Sequence, residues 1–309
     1  MKLLIYGHKG WIGQQFLEIV KNCKDANFTY LLGNVRVDNE EKLEQEIADY
    51  LPTHIVSFIG RTHGTYKNKK YTTIDYLEQK GCLTENVRDN LYAPMILSIL
   101  SKKYNYHYTY LGTGCIFNFD ETHKMPDNKN KKVKGFSEYD KPNFFGSSYS
   151  IVKGFTDRLM HHIEGNVLNI RIRMPISSEV NPRNFITKIT NYEKICSCPN
   201  SMTVLDECLP ILFQLMKQKT LGTVNLTNPG AITHNEILEM YKEIVNPEFT
   251  WKNFTYEEQM EILASDRSNN FLKTGRIELL SSITNIHDSV RNILIKMKSN
   301  IDLENKKNN

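Results

Sequence analysis

The sequence predicts an α/β fold in which crossover helices connect the strands of a parallel sheet. Short apolar runs of strand length alternate with helical patterns through the first half of the 309-residue chain. Hydrophobic residues make up 40% of the chain and charged residues 24%, which is typical of a globular protein and excludes a disordered chain or a disulfide scaffold. At this length we expect about two domains.

The first half of the chain contains the predicted sheet. Its first strand is the apolar run Lys2–Tyr6, and Trp11–Asn22 follows with apolar residues at helical spacing. A further helix is predicted over Phe145–Ile163, with Gly165 as its stop signal. The other strands predicted from apolar runs are Phe28–Leu32, His54–Ile59, Tyr106–Leu111 and Val167–Arg173.

The second half is less regular and predicts a smaller second domain. One more strand is expected at Thr223–Leu226. We therefore expect a first domain over residues 1–170, to which a strand near residues 223–230 returns, and a second domain over residues 171–309. The helices predicted in this half lie around Glu207–Lys217, His234–Ile244 and Tyr256–Leu263.

Three glycines, Gly7, Gly10 and Gly13, follow the first strand at G-x-x-G-x-x-G spacing and open the first helix. Glycine lets the backbone turn tightly and approach a pyrophosphate, which the N–H groups of a helix N-terminus bind. Glycines also mark ordinary turns, but their place between a strand and a helix favours cofactor binding. The sequence thus predicts a Rossmann-type doubly wound parallel sheet with a smaller C-terminal substrate-binding domain.

The end of the second strand favours NADPH over NADH as the cofactor. An acidic residue usually follows this strand in NAD-binding folds, where it binds the ribose hydroxyls. Here no acid occurs before Asp38, and Arg36, aided by His8 and Lys9, could pair with a 2′-phosphate instead. The alternative is that Arg36 is an ordinary surface arginine.

Tyr149 and Lys153 are four residues apart on a predicted helix and therefore share one face. A nearby ammonium is expected to lower the pKa of the Tyr149 phenol, so that it could protonate a ketone during reduction. Thr113 follows the strand Tyr106–Leu111, at the edge where such sheets bind ligands, and completes a Thr-Tyr-Lys set. Combined with the glycines, this pattern indicates a short-chain dehydrogenase/reductase.

Ten sequence blocks together resemble one family of this superfamily closely, over about Lys2 to Ser289. The family is the bifunctional UDP-4-keto-6-deoxy-D-glucose 3,5-epimerase/4-reductase, or nucleotide-rhamnose synthase/epimerase-reductase, of plants and large DNA viruses. Against the plant pattern, the segment Thr65–Thr73 looks longer here. The blocks are Tyr6–Gly13, Gly112–Phe117, Lys141–Phe144, Arg171–Ser177, Asn181–Lys188, Pro199–Thr203, Thr227–Gly230, His234–Ile237, Trp251–Phe254 and Arg267–Asn270.

The resemblance implies NADPH as cofactor, UDP-L-rhamnose as product and a particular set of site residues. The family's epimerising cysteine and lysine map onto Cys115 and Lys188, although a lone cysteine is more often a small buried hydrophobe. The catalytic residues expected are Thr113, Cys115, Tyr149, Lys153 and Lys188. The cofactor-binding residues expected are Gly7, Gly10, Trp11, Ile12, Gly13, Arg36, Gly60, Arg61, Tyr149, Lys153 and Pro175.

The substrate is expected between the two domains, a common location for ligand sites. Asn184 could bind the diphosphate or the uridine, or could instead cap the helix that begins near Phe185. Arg267 could neutralise the diphosphate, with Asn270 nearby, or could instead be a surface ion-pair partner.

Other partner classes are not expected. The net charge of +4 is too small to indicate nucleic acid, and the basic stretch Lys124–Gly135 lacks aromatic residues for base stacking and favours a solvated loop. No apolar run is long enough for a membrane helix. Six cysteines in such a chain are expected to be reduced, and Cys196 and Cys198 have neither the spacing nor the partner pair of a zinc site. We also expect a homodimer and a location in the cytoplasm. If a large DNA virus encodes the chain, this is the cytoplasm of the host cell.

Two rival functions remain open from the sequence. The GDP-fucose synthase reaction follows the same chemistry on a GDP-sugar but pairs its cysteine with a histidine, where the aligned block here has Lys188. A non-catalytic NADP-binding regulatory subunit would have lost members of the catalytic set, whereas this chain retains all five.

Overall fold

The computed structural model describes residues 1–126, 134–163 and 165–308, without the side chains of residues 307 and 308. Part of the predicted basic loop Lys124–Gly135 therefore lies outside the described residues. The strands are β1 (Lys2–Tyr6), β2 (Thr29–Leu32), β3 (His54–Ser57), β4 (Gly64–Tyr66), β5 (Lys69–Tyr71), β6 (His107–Thr113), β7 (Val167–Ile172), β8 (Pro175–Ile176), β9 (Lys194–Ile195), β10 (Thr203–Val204), β11 (Gly222–Asn225) and β12 (Lys252–Asn253).

The helices flank these strands and differ widely in length. A 3-10 turn at Ile74–Glu78 and a π-helical turn at Arg88–Tyr92 lie among them. The α-helices are α1 (Trp11–Lys21), α2 (Glu40–Tyr50), α3 (Leu83–Val87), α4 (Ala93–Tyr104), α5 (Ser148–Met160), α6 (Phe185–Ile189), α7 (Leu205–Lys217), α8 (His234–Ile244), α9 (Tyr256–Ile262), α10 (Gly275–Leu280) and α11 (Ile286–Asn308).

The main sheet has six parallel strands in the order β11-β7-β6-β3-β1-β2. The strand order reverses beside β1, so the helices cover both faces, as in a doubly wound Rossmann-type sheet. This confirms the predicted fold class. Because all strands run in one direction, their carboxyl ends lie along one edge, which places Tyr6, Ser57 and Thr113 together.

Two hydrophobic clusters fill the two faces of the sheet. Helices α1 and α7 pack on one face, and α2 and α4 pack on the other, where the fully buried Tyr106 and Tyr108 of the β6 region also lie. The predicted returning strand is β11, which pairs with β7. Helix α7, which precedes β11, packs on one face of the same sheet, so part of the second half of the chain completes the sheet.

A third cluster draws its buried residues from Ile176 to Met297 and packs α6, α8 and α11 together. The division into residues 1–170 and 171–309 remains a prediction. In the described part of the chain, no helix has both the length and the apolar character to cross a membrane. Nor do the described residues contain a group of three or more His, Cys, Asp or Glu able to hold a metal ion.

Candidate active site

The loop between β1 and α1 has the backbone geometry of a phosphate-binding turn. Gly7 has a φ of 71°, and a Cβ there would lie 2.6 Å from the carbonyl carbon of Phe58. A Cβ on Gly13 would lie 2.5 Å from the carbonyl oxygen of Gly7. Only glycine fits either position. No side chain caps α1 at Gly10, so the first N–H groups of this helix can bind the pyrophosphate of a dinucleotide.

Arg36 lies after β2, where the sequence places it near the adenosine end of a cofactor. Its Nε and Nη2 donate to the two carboxylate oxygens of Asp38 at 2.9 and 3.0 Å. Arg88 lies on the other side of this carboxylate, with its Nε 3.9 Å from Asp38 Oδ2. The Arg36 side chain is 65% exposed, so it can contact a ligand, but it must then share its charge with Asp38.

The loop after β3 is rigid because one asparagine holds its backbone from both sides. The N–H of Arg61 donates to Asn90 Oδ1 at 3.0 Å, and Asn90 Nδ2 donates to the carbonyl of Arg61 at 2.9 Å. The Arg61 side chain itself donates to Asp89 at 2.9 Å. Gly60 lies against the same asparagine, and a Cβ there would be 3.3 Å from its Oδ1.

The remaining predicted cofactor residues lie at element starts and in the core. Trp11, the first residue of α1, donates from its indole Nε1 to Glu179 at 2.9 Å. Ile12 packs against the hydrophobic cluster under α1, and Pro175 begins β8. With the glycine loop, these residues fit a dinucleotide, although their contacts with one stay a prediction.

Three members of the predicted catalytic set converge at the carboxyl end of β6. Thr113 ends this strand, and its Oγ1 accepts a hydrogen bond from the N–H of Cys115 at 3.0 Å. Thr113 faces the Tyr149 phenol closely enough to lower its pKa, against the larger effect of burial. Ser150, the next residue of α5, donates its hydroxyl to the carbonyl of Cys115 at 2.8 Å. Helix α5 is therefore fixed directly against the loop that follows β6, residues 114–118, which we call the Cys115 loop.

Burial controls the ionisation of Tyr149 and Lys153. Burial raises the pKa of Tyr149 above its ordinary value, and the charge of Cys115 raises it further. The Lys153 ammonium donates instead to the Tyr110 hydroxyl at 2.6 Å and lies 6.0 Å from the centre of the Tyr149 ring. The predicted lowering of the Tyr149 pKa by Lys153 is therefore wrong for this structure. Burial also lowers the pKa of Lys153 to about 7.

Lys188 lies on α6, whose N-terminus is capped by Asn184. The Asn184 side-chain oxygen accepts from the N–H of Ile186 at 3.1 Å, and its amide donates to the carbonyls of Ser177 and Glu179, both at 2.7 Å. Asn184 is fully buried, so it has the capping role that the sequence allowed. Its predicted contact with substrate finds no support in this geometry.

The ammonium of Lys188 lies in an environment that weakens its hold on a proton. Burial lowers the pKa of Lys188, and the positive charges of Arg183 and Arg267 lower it further. A negative charge on Cys115 acts in the opposite direction, because an anion nearby favours the ammonium form of Lys188. Helix α6 thus brings Lys188 to the site formed by β6 and α5.

The segment Arg267–Asn270 packs over the Cys115 loop. Asn270 is fully buried, and its amide nitrogen donates to the carbonyls of Gly114 and Phe117, each at 2.9 Å. Arg267 Nη2 donates to Asp75 Oδ2 at 2.6 Å, which is the ion pair that the sequence left open as the alternative to a phosphate contact. Asn270 therefore holds the loop, and Arg267 already has an anionic partner.

Arg173 is a site residue that the sequence analysis missed. It follows β7, is 1% exposed, and its Nη1 donates to the sulfur of Cys115 at 3.3 Å. The same Nη1 donates to Ser268 Oγ at 3.0 Å, and Nη2 donates to the side-chain oxygen of Asn200. An arginine is almost never fully buried unless paired, so its place in the apolar run Val167–Arg173 was a usable signal.

A second missed feature is Arg183, whose positive charge acts on both Lys188 and His63. Burial lowers the pKa of His63 to about 4, and the positive charge of Arg183 lowers it further. Arg183 is half-buried, and burial lowers its pKa. Among the described residues, neither a hydrogen bond nor an ion pair holds its guanidinium. An uncommitted cation at this place suits the anionic part of a substrate.

The doubly wound sheet, the glycine loop after β1 and the Tyr149–Lys153 pair on α5 define a short-chain dehydrogenase/reductase. A crystal structure of the L780 UDP-rhamnose synthase from Acanthamoeba polyphaga mimivirus is 50% identical, with a TM-score of 0.88, and the match covers 96% of this chain and 99% of that one. The bifunctional dTDP-4-dehydrorhamnose 3,5-epimerase/dTDP-4-dehydrorhamnose reductase of Arabidopsis thaliana is 40% identical over 276 residues, 89% of this chain and 86% of that protein.

This chain therefore belongs to the family of bifunctional nucleotide-rhamnose epimerase/reductases, which confirms the resemblance inferred from the sequence. The trifunctional RHM1 of Arabidopsis thaliana, which is also a UDP-glucose 4,6-dehydratase, is 40% identical over 279 residues. Those residues are 90% of this chain but only 39% of the plant protein. No protein-family model matches the chain.

Proposed function

We propose that this chain converts UDP-4-keto-6-deoxy-D-glucose into UDP-L-rhamnose by epimerisation at C3 and C5 and NADPH-dependent reduction at C4. The observation that carries the proposal is the convergence of Cys115, Tyr149 and Lys188, from the loop after β6, from α5 and from α6, on one site. A thiol base, a lysine acid and a phenol acid together supply both reactions.

Epimerisation follows from the acidity of the carbons beside a ketone. The Cys115 thiolate removes a proton from C3 or C5, and the electrons of the broken C–H bond move to the C4 oxygen. Thr113 and Tyr149 hydrogen-bond this oxygen and stabilise the enolate. Lys188 then returns a proton to the opposite face of the carbon. The lowered pKa of Lys188 makes this ammonium a better acid than an exposed lysine.

Reduction uses the same carbonyl and the same phenol. NADPH, when bound, supplies a hydride to C4. Tyr149 donates its proton to the C4 oxygen, and its raised pKa keeps the phenol protonated through neutral pH. Lys153, whose pKa of about 7 lets it exchange a proton in this range, would hold the nicotinamide ribose of the bound cofactor. One pocket thus serves both reactions because both activate the C4 carbonyl.

The choice of NADPH over NADH rests on Arg36. We expect Arg36→Ala to weaken NADPH binding by about 1.5–3 kcal/mol, the range of a charged hydrogen bond, and to change NADH binding little. Asp38→Asn is the matched variant, because it frees Arg36 from its ion pair and should strengthen NADPH binding. Fluorescence titration of the wild type and both variants measures their affinities for NADPH and NADH. Equal weakening of NADPH and NADH by Arg36→Ala would show that the arginine is structural.

The diphosphate of the substrate has two candidate partners, Arg267 from the sequence and Arg183 from the structure. Because Arg267 is paired with Asp75 and Arg183 is uncommitted in the described part of the chain, we expect Arg183→Ala to weaken UDP binding more than Arg267→Ala. A charged hydrogen bond predicts a loss of about 10-fold or more in affinity. Calorimetric titration with UDP decides between them, and unchanged affinity in both variants would place the diphosphate elsewhere.

The test of the proposed function is turnover with a defined substrate. The protein is incubated with NADPH and UDP-4-keto-6-deoxy-D-glucose, the fall in nicotinamide absorbance is followed, and the product sugar is identified by NMR. Turnover with only the GDP-linked 4-keto sugar would support the GDP-fucose synthase reaction instead. NADPH binding without turnover of either sugar would support the regulatory subunit. Homodimer formation and a cytoplasmic location stay predictions.

A further inference from the structure

We propose that Arg173 is a positioning residue that fixes the sulfur of Cys115 and stabilises it as a thiolate. The use of that thiolate as an epimerising base rests on the proposed function. The contact itself does not, because it is a feature of the chain without substrate. The sequence analysis gave Arg173 no catalytic or binding role.

The first argument is geometric. Arg173 Nη1 donates to Cys115 Sγ at 3.3 Å, and the remaining contacts hold the guanidinium in place. Ser268 accepts through its hydroxyl and its carbonyl, and the side-chain oxygen of Asn200 accepts from Nη2. A planar guanidinium held in this way cannot turn away from the sulfur without breaking several buried hydrogen bonds.

The second argument compares Arg173 with Arg171, two residues earlier on the chain. Both are buried, but Arg171 is paired with the carboxylate of Asp157, with Nη2–Oδ2 at 2.7 Å and Nε–Oδ1 at 2.9 Å. Within the described residues, no carboxylate pairs with Arg173, and its other acceptors are neutral. Because an unpaired buried charge is costly, the sulfur of Cys115 is the group that can supply the missing negative charge.

The third argument concerns the other titratable groups that face this pair. Tyr149 and Lys153 from α5 and Lys188 from α6 interact electrostatically with Cys115. The pKa of Lys153 is lowered to about 7 and that of Lys188 is also lowered, so both ammonium groups lose charge more readily than free lysines.

The phenol and the imidazole near this pair add no charge at neutral pH. Tyr149 stays protonated there because its pKa is raised. His234, which faces Arg173 from α8, is neutral because burial lowers its pKa to about 4. Burial lowers the pKa of Arg173 as well, but a guanidinium stays charged in proteins. Arg173 therefore keeps a constant positive charge in contact with the sulfur.

The test measures thiolate reactivity without substrate. Wild type, Arg173→Met and Arg173→Lys are treated with iodoacetamide across a pH series, and alkylation of Cys115 is measured by peptide mass spectrometry. Cys23, in the same molecule, is the internal reference. We expect Arg173→Met to slow alkylation of Cys115 about 10-fold or more at pH 7, since it removes the positive charge in contact with the sulfur and an opposite charge nearby favours the ionised form. Arg173→Lys should recover part of the rate.

The pH series separates an electrostatic role from a structural one. At alkaline pH the thiol ionises in every variant, so the rates of wild type and Arg173→Met should converge. A rate that is unchanged at pH 7, or slowed equally at every pH, would overturn the proposal, because the second result reports only altered access. Cys23 should react equally in all variants.

A second variant covers the case in which Arg173→Met does not fold. Asn200→Asp keeps the shape of Asn200 and places a carboxylate at the Arg173 Nη2, where it competes with the sulfur for the guanidinium charge. We expect slower alkylation of Cys115 at pH 7, and an unchanged rate in the folded variant would overturn the proposal. If alkylation behaves as expected but the wild type turns over no sugar, the proposed function fails and the role of Arg173 stands.

Discussion

The variant Cys115→Ser is expected to lose exchange of the substrate protons at C3 and C5 by about 10²–10⁴-fold, the contribution of a positioned general base. A serine hydroxyl ionises too weakly to replace the thiolate, and it offers Arg173 no comparable negative charge. Exchange is measured by NMR in D₂O with UDP-4-keto-6-deoxy-D-glucose. The glycine loop after β1 is untouched, so NADPH binding should stay as in the wild type.

Cys23→Ser is the control for this prediction, because it makes the same chemical change outside the site. Cys23 lies just after the C-terminal end of α1, where its N–H donates to the carbonyl of Val20. It should exchange both protons at the wild-type rate. Wild-type exchange in Cys115→Ser would remove Cys115 from the mechanism, and loss of exchange in both variants would point to a general effect of sulfur loss.

The variant Tyr149→Phe is expected to slow reduction by about 10²–10⁴-fold, because it removes the acid that protonates the C4 oxygen. Proton exchange at C3 and C5 should fall less, since Cys115 and Lys188 remain. NADPH oxidation and D₂O exchange, measured on the same preparation, give the two rates. Tyr139→Phe makes the same change at a side chain that is 84% exposed and should leave both rates unchanged. If Tyr149→Phe oxidised NADPH at the wild-type rate, Tyr149 would be excluded as the acid that protonates the C4 oxygen.

The elements that the sequence predicted well are those set by local patterns. Strand β1 and helix α8 have the predicted bounds, and α8 begins with a capping box between Thr233 and Glu236. Strand β6 was predicted to end at Leu111 but continues to Thr113, because pairing with β7 carries it through Gly112. The hairpin β4–β5 was not predicted, since its three-residue strands are too short and polar to form a pattern.

The same limit applies within the site. The spacing of Tyr149 and Lys153 on one helix is local, so the sequence places them correctly on α5. The predicted direction of the Tyr149 pKa shift was wrong, because burial raises this pKa and outweighs the neighbouring ammonium. Burial depends on the whole fold. The contact between Arg173 and Cys115 joins residues 58 positions apart, and no local pattern predicts which buried side chains will meet.

The anchoring of the Cys115 loop by Ser268 and Asn270 has a consequence for the order of events during synthesis. All five predicted catalytic residues have left the ribosome once Lys188 has emerged, but Ser268 and Asn270, which complete the contacts to the loop and to the guanidinium of Arg173, follow about 80 residues later. Contacts between such distant parts of a chain form late and slowly. A nascent chain that ends before Ser268 would thus carry every reactive side chain while the last contacts that fix the reactive centre had yet to form.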